Sequence, residues 1–578
     1  MTSSSQNLAV DYYRKAVAAH KRGEYEKAEA LSREAARHNP SNADAHYLIG
    51  AILLDQGRPD DALPHLEHAY RLAPAHPGVL YALGNAYFRL ERWQPAAGAY
   101  SALHSQGHTS AYTFLNLALS QQKDNQLGAA AQTLQQAITL NPQEAGLWNA
   151  YGNTLNKLHR DSDAEDAFIR ARNLKPDDPD ICSNLALLYE QSNRLDAAQR
   201  LALLGLRDHP RHASLLLTAA RCARRQKKPH EALALLDKIQ SNDDVRFRRA
   251  AEFERGRIYD SLVEPDAAFR HFSLGHALSP EIQPNTKQLG QAYLDELDRL
   301  CSRIGQAGIL RKLAAATQTA GDAGPPPPVF LLGFVRSGTT LMDTILQIHP
   351  QVIVLEEEPT IDVVLQAAQA LPGGYPDCLA MLAPTQLATL RSLYWKTVTG
   401  ITGPLTPEIR LIDKFPLNSV HAPLMYALFP EARFLFALRH PCDVVLSSFM
   451  QMFGPGGALA NFSTLEGGAT MYAKVMELWI RYLDALPLRV HTLRYEDLVA
   501  DTDRTMTDAL DFLGLETRQT LRHTEKAKQR GRIYTPSYHQ VIQPIYRDAL
   551  GRWQRYQKYF GRALGILQPF ADRFGYTI

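Results

Sequence analysis

A chain of 578 residues exceeds the roughly 100–200 residues of one ordinary domain, so more than one folding unit is expected. Its formal charge of +2, with 45% hydrophobic and 21% charged residues, excludes a disordered polyelectrolyte and gives no whole-chain reason to bind nucleic acid or an anionic membrane. The opening Met-Thr-Ser-Ser-Ser-Gln-Asn has neither the basic start nor the apolar core of a secretory signal, and no apolar run approaches the ~20 residues that span a bilayer. A soluble, cytoplasmic protein is expected. Cys182, Cys222, Cys301, Cys378 and Cys442 are scattered without metal-ligand spacing, which suits reduced thiols and no bound metal.

From residue 9 to about residue 282 the chain matches itself at a period of 34. Ala28, Ala62, Ala96, Ala130, Ala164, Ala198 and Ala232 mark the register, and Ala268 follows after a slip of two. Pro40, Pro74, Pro142, Pro176, Pro210 and Pro280 each lie twelve residues beyond an alanine of that series, while Gly50, Gly84, Gly152 and Gly256 mark first helices. The pattern resembles the tetratricopeptide repeat over eight consecutive units, with Ala118, Ala186 and Ala220 standing where glycine would be. Paired helices that cannot bury their apolar faces alone must stack, so residues 1–282 are expected to form a right-handed α-solenoid. Its concave groove would hold a protein or peptide. The basic stretch Arg221–Lys228 reads either as an anion-attracting wall of that groove or as a solvated helix end. Residues 283–324 follow as a capping helix, with Leu289, Tyr293, Leu297, Leu300 and Ile304 at helical intervals, and a linker ending in Pro325–Pro328.

Residues 325–578 alternate short apolar runs with helical patterns, the signature of an α/β fold with a parallel sheet. Val329–Leu332 runs as a strand into a turn bounded by Gly333 and Gly338, and Leu341, Ile345 and Ile348 continue as a helix. Such a turn aims backbone N–H groups and the hydroxyls of Ser337, Thr339 and Thr340 at an anion beside the positive end of the helix dipole. A mononucleotide loop reads G-x-x-x-x-G-K-[ST], and here Thr339 replaces the lysine while Arg336 sits inside the loop. That favours a phosphate-bearing ligand other than ATP–magnesium. Strands are also expected at Ile409–Ile412 and Arg433–Leu438, and ligands collect at the carboxyl edge of such sheets. Lys414 would project there as a mobile cation, and Arg439 with Ser447 would grip a phosphate by charge-assisted hydrogen bonds. Two phosphate sites in one crevice imply a nucleotide phosphorylated at two places.

The order Arg336-Ser-Gly-Thr-Thr-Leu341, His349-Pro350, Glu356-Glu-Glu358, Asp413-Lys-Phe-Pro416, then Phe436-Ala-Leu-Arg-His-Pro441 with Ser447, resembles the sulfotransferases that use 3′-phosphoadenosine 5′-phosphosulfate. Within them it is most similar to the tyrosylprotein branch. The resemblance implies a P-loop-like domain in which Arg336, Ser337, Gly338, Thr339 and Thr340 hold the 5′-phosphosulfate and Arg439 with Ser447 holds the 3′-phosphate. It implies that Tyr495 lies near the nucleotide and that Arg552 is a base-side cation. Glu357, seven residues beyond the His-Pro pair, would be the general base, with Lys414, Ser537 and Arg336 stabilising charge at the transferring group and no metal required. The tyrosylprotein branch carries an acceptor-recognising arginine two residues after the base, where this chain has Pro359. The expected activity is sulfuryl transfer to a hydroxyl, foremost a tyrosine of a protein or peptide presented by the repeats. A glycan or small phenol is the nearest alternative acceptor; a P-loop kinase and an inactive repeat adaptor are the other classes, and a homodimer is open.

Overall fold

The computed structural model describes residues 3–108, 110–306, 308–315, 325–454, 456–516 and 549–578. They fall into two compact units, Met1–Glu190 with Asp196–Thr218, and Gln191–Leu195 with Ala219–Ile578.

Eight helix pairs run from Ser3–Lys21 with Tyr25–His38 to Val245–Ser261 with Pro265–Ala277. The glycine of a first helix meets the residue sixteen positions later on the second helix. A Cβ at Gly84 would lie 2.8 Å from the Tyr100 ring, at Gly152 2.7 Å from Phe168, and at Gly256 2.6 Å from Phe272. Glycine is needed there because an aromatic ring fills the space. Where Ala118, Ala186 and Ala220 replace it, the matching positions hold the smaller or more pliant Leu134, Ala202 and Leu236. The turn inside each pair has one residue of positive φ, at Gly23, Gly57, Glu91, Asn125, His159, Asn193, Lys227 and Val263, and this series carries the same period and the same late slip.

Two arginines of the basic stretch, Arg221 and Arg224, are largely withdrawn from solvent, while Lys228 stays exposed as at a solvated helix end. In the second unit Arg221, Arg224 and Arg257 approach the buried Glu254 at 3.5, 2.9 and 2.6 Å. Burial pushes that carboxyl up, but the three guanidinium groups outweigh it and hold it well below the usual carboxylate range. The helix Thr286–Gln306 packs on the segment Gly457–Ser463 and the helix Leu465–Ala485 of the C-terminal half. Its Leu294, Leu297, Leu300 and Ile304 share one apolar cluster with Phe253 and Phe272 of the last repeat pair and with residues of the C-terminal half.

That half is built on a five-stranded, all-parallel sheet in the order β2-β3-β1-β4-β5. The strands are β1 Val329–Gly333, β2 Val352–Glu356, β3 Arg410–Lys414, β4 Arg433–Leu438 and β5 Arg489–Arg494. Alternate residues of β1 serve opposite faces. Phe330 and Leu332 join one apolar cluster with Phe434, Phe436 and Trp479, and Val329 and Leu331 join another with Leu435, Leu493 and Leu510. A sheet covered on both faces has its carboxyl edge as the place where polar groups can gather.

Candidate functional site

The turn after β1 is forced into shape by close approaches. Gly333 has φ +155 and a Cβ there would lie 2.6 Å from the Ala437 carbonyl oxygen; Gly338 has φ +94 and a Cβ would lie 2.5 Å from the Tyr495 ring. Arg336, between them, holds φ +67 without being glycine, a conformation that costs free energy and is kept only where the surroundings over-determine it. The helix Thr339–Leu346 begins at once, with Ser337, Thr339 and Thr340 all buried.

The Arg336 side chain reaches across to the helix Pro441–Phe449, where its Nε donates to Ser447 Oγ at 3.1 Å. The Arg336 carbonyl accepts from Arg439 Nη1 at 3.1 Å, and Arg439 Nη2 donates to the Ala549 carbonyl at 2.6 Å. The Arg439 guanidinium also lies 4.6 Å from the centroid of the Tyr495 ring, a cation–π contact. Arg336, Arg439, Ser447, Tyr495 and Arg552 thus line one pocket of about 30 Å³, together with Asp443 and Ala549. Arg336 therefore belongs with the Arg439–Ser447 cluster and does not stand apart from it at the glycine turn. Asp443 is occupied by backbone, accepting from Gly551 N–H at 2.7 Å and Trp553 N–H at 2.9 Å. The Nε atoms of Arg439 and Arg552 are buried with no hydrogen-bond partner among the described residues. Buried guanidinium donors left open are costly unless an anion completes them, so the donor set fits a phosphate.

A second cluster lies where β2 and β3 end. Lys414 is fully buried, with Nζ 3.0 Å from Glu357 Oε1 and 3.4 Å from Asp343 Oδ2. It is not the mobile cation expected from the sequence, because Asp343, in the middle of the helix Thr339–Leu346, fixes it from below the glycine turn. The signal for Asp343 was an acidic residue inside an apolar helix. Glu357 has φ +56, and its N–H donates to the Lys414 carbonyl at 2.7 Å, so the backbone is turned to bring the carboxylate onto the lysine. Its side chain stays 43% exposed to solvent. Behind it, Asp413 Oδ2 accepts from Thr360 and Tyr394 hydroxyls at 2.6 and 2.9 Å, and burial lifts its carboxyl to about 6 against those two bonds. Ser537 lies outside the described residues. Cys442 is buried, which pushes its thiol up to about 12, so it is no nucleophile at neutral pH.

Residues 327–519 match the Sulfotransferase family, and residues 13–77, 115–179 and 183–246, with 53–113 in a second pattern, match the tetratricopeptide repeat. The chain carries tetratricopeptide repeats and a sulfotransferase-family domain. Its relatives include an uncharacterized protein of Aquifex aeolicus, 27% identical over 252 residues, covering 42% of this chain and 32% of that protein. Protein-tyrosine sulfotransferase 2 of Gallus gallus is 27% identical over 237 residues, covering 39% of this chain and 63% of its own length. Protein-tyrosine sulfotransferase 1 of Danio rerio is 26% identical over 286 residues, covering 46% and 79%. The chain spans about a third of the first of these and less than two thirds of the second. Both residue clusters gather at the carboxyl ends of strands of the sulfotransferase-family domain and in the turns and helices that follow them, but Arg552 falls beyond the matched residues.

Proposed function

We propose that the protein is a sulfotransferase using 3′-phosphoadenosine 5′-phosphosulfate, and that its acceptor is the tyrosine hydroxyl of a protein or peptide brought by the repeats. The observation that carries this reading is the Glu357 carboxylate 3.0 Å from a fully buried Lys414 on the same sheet edge as the arginine pocket. A phenol attacks poorly until its proton is withdrawn, and in this reading Glu357 accepts that proton. Lys414, held between the carboxylates of Glu357 and Asp343, would offset negative charge growing on the transferring group. In this reading Arg439, Arg336 and Ser447 hold the donor's 3′-phosphate, with Tyr495 against the nucleotide, and the turn Ser337–Thr340 takes its 5′ end. The donor, when bound, supplies the sulfuryl group. The similarity to protein-tyrosine sulfotransferases supports the tyrosine acceptor.

A glycan or small-molecule hydroxyl is the second reading, favoured by Pro359, which caps the helix Thr360–Gln369 where the tyrosylprotein branch has an arginine. The five cysteines are unpaired, which suits the cytoplasmic location included in this proposal; no helix among the described residues is long and apolar enough to cross a membrane. The test is incubation with the donor and a panel of tyrosine peptides, glycans and small phenols, followed by mass spectrometry for one added sulfuryl group. Modification on tyrosine supports the first reading and modification on sugar alone the second. No transfer to any of them, with the donor shown to bind, overturns both.

A further inference from the structure

Arg552 is not fixed by the sheet. Its Nη1 lies 3.4 Å from Asp260 Oδ2, on the repeat helix Val245–Ser261, and 4.0 Å from the Met450 sulfur. The Asp260 side chain is only 15% exposed, and its Oδ1 accepts from the Tyr556 hydroxyl at 2.8 Å with Arg555 at 4.0 Å. One carboxylate oxygen thus serves Tyr556 and the other serves Arg552. Asp260 does not line the anion pocket, while Arg552 does, with Nε buried and open.

The same repeat pair grips the end of the helix that bears Ser447 and the segment just beyond it. Arg249 Nη2 donates to the Phe453 carbonyl at 2.8 Å, and His276 Nε2 bonds the Phe449 carbonyl at 2.7 Å. Burial holds His276 down to about 4, so at neutral pH the ring is uncharged and Nε2–H is the donor. Phe269 stacks on Phe449 at 5.1 Å and on Tyr559 at 3.9 Å. Lys558 and Tyr559 both reach Asp266 on the helix Pro265–Ala277. Two walls of the pocket, the Ser447 helix and the Arg552 segment, are therefore joined through one repeat pair.

We infer that this last repeat pair is a built part of the donor pocket, and that Asp260 is a positioning residue which sets Arg552 against the donor's 3′-phosphate. Arginine is a long side chain with many rotamers, and a carboxylate that pins one nitrogen leaves Nε and the remaining face pre-aimed, so less ordering is needed on binding. The inference rests on the proposed donor reading of that pocket.

The test is titration calorimetry on the full chain with adenosine 3′,5′-bisphosphate and with adenosine 5′-monophosphate, which lacks the 3′-phosphate. The readout is the ratio of the two affinities, which a partly misfolded preparation leaves unchanged. Asp260→Asn and Arg552→Ala are each expected to lower that ratio about tenfold, the scale of one charge-assisted hydrogen bond. Asp260→Asn in the Arg552→Ala background should lower it no further, Asp260→Glu should restore most of it, and Tyr556→Phe, which spares Arg552, should leave it near wild type. A wild-type ratio in Asp260→Asn, or an equal additional loss in the Arg552→Ala background, overturns the positioning role. A wild-type protein that binds both nucleotides equally would instead remove the 3′-phosphate reading beneath it.

Discussion

Replacing Glu357 with Gln removes a charge and keeps the shape, and its consequences for stability and for turnover should differ in size. The carboxylate lies 3.0 Å from Lys414 Nζ, and Asp343 lies at 3.4 Å on the same ammonium. At an effective dielectric of about 20, two unit charges at that shorter distance attract by about 5.5 kcal/mol before desolvation is counted. Because the glutamate is 43% exposed, solvent screening brings the net loss down to about 1 kcal/mol. Lys414 keeps Asp343, so no buried charge is orphaned and the fold should persist. Loss of a general base, by contrast, lowers turnover by about 10²–10⁴, or about 2.7–5.4 kcal/mol on the barrier. The assay is kcat for sulfuryl transfer beside the melting temperature and the affinity for adenosine 3′,5′-bisphosphate. A kcat near wild type would refute the base assignment. So would a fall in kcat matched by an equal fall in nucleotide affinity, which would make Glu357 a donor-site residue.

Gly338→Ala should destabilise the domain by about 2–4 kcal/mol, since its Cβ would meet the Tyr495 ring at 2.5 Å and φ +94 is unfavourable for alanine; urea unfolding equal to wild type would contradict the turn geometry. Gly152→Ala should lose about 1–3 kcal/mol despite alanine's better helix propensity, because Phe168 stands 2.7 Å from the new Cβ. A melting temperature at or above wild type would refute that packing argument. His276 ionises near 6.5 when unfolded and is held down to about 4 in the fold, so between those values the unfolded chain binds a proton that the folded chain refuses. Its contribution is complete above pH 6.5 and is lost as the pH falls through that window. His421, also held to about 4, slopes the same way, while Asp413, raised to about 6 from 3.8, slopes oppositely between those two values. His276→Gln should therefore lose less melting temperature than wild type between pH 7 and pH 5; parallel losses would refute the assignment.

The repeats were legible because every unit solves the same packing problem, so the small residue, the side chain that packs against it and the turn return at one interval. Of the sheet, β1, β3 and β4 declared themselves as apolar runs, with β3 at Arg410–Lys414 where Ile409–Ile412 was expected. β2 is an edge strand that is only partly buried and runs into the acidic Glu356–Glu358, and β5, the other edge strand, is mostly half-exposed with arginine at both ends, so neither stood out. The polar residues at the strand ends could be read as one crevice, and the fold does bring Arg336, Arg439 and Ser447 into one pocket. Long-range charge pairing could not be read. Lys414 looked mobile because Asp343 belongs to another element, Arg221 and Arg224 looked like surface charge because Glu254 lies in the next helix pair, and the Asp260–Arg552 contact joins segments far apart in the chain.

The proposed donor reading requires the pocket of Arg336, Arg439 and Ser447 to take the 3′-phosphate of a nucleotide whose 5′ end lies at the turn Ser337–Thr340. Direct titration of the full chain with adenosine 3′,5′-bisphosphate, adenosine 5′-monophosphate and ATP–magnesium tests it. The bisphosphate should bind tightest, and Arg439→Ala should erase its advantage over the monophosphate. Equal affinity for those two, or tighter binding of ATP–magnesium, would contradict it.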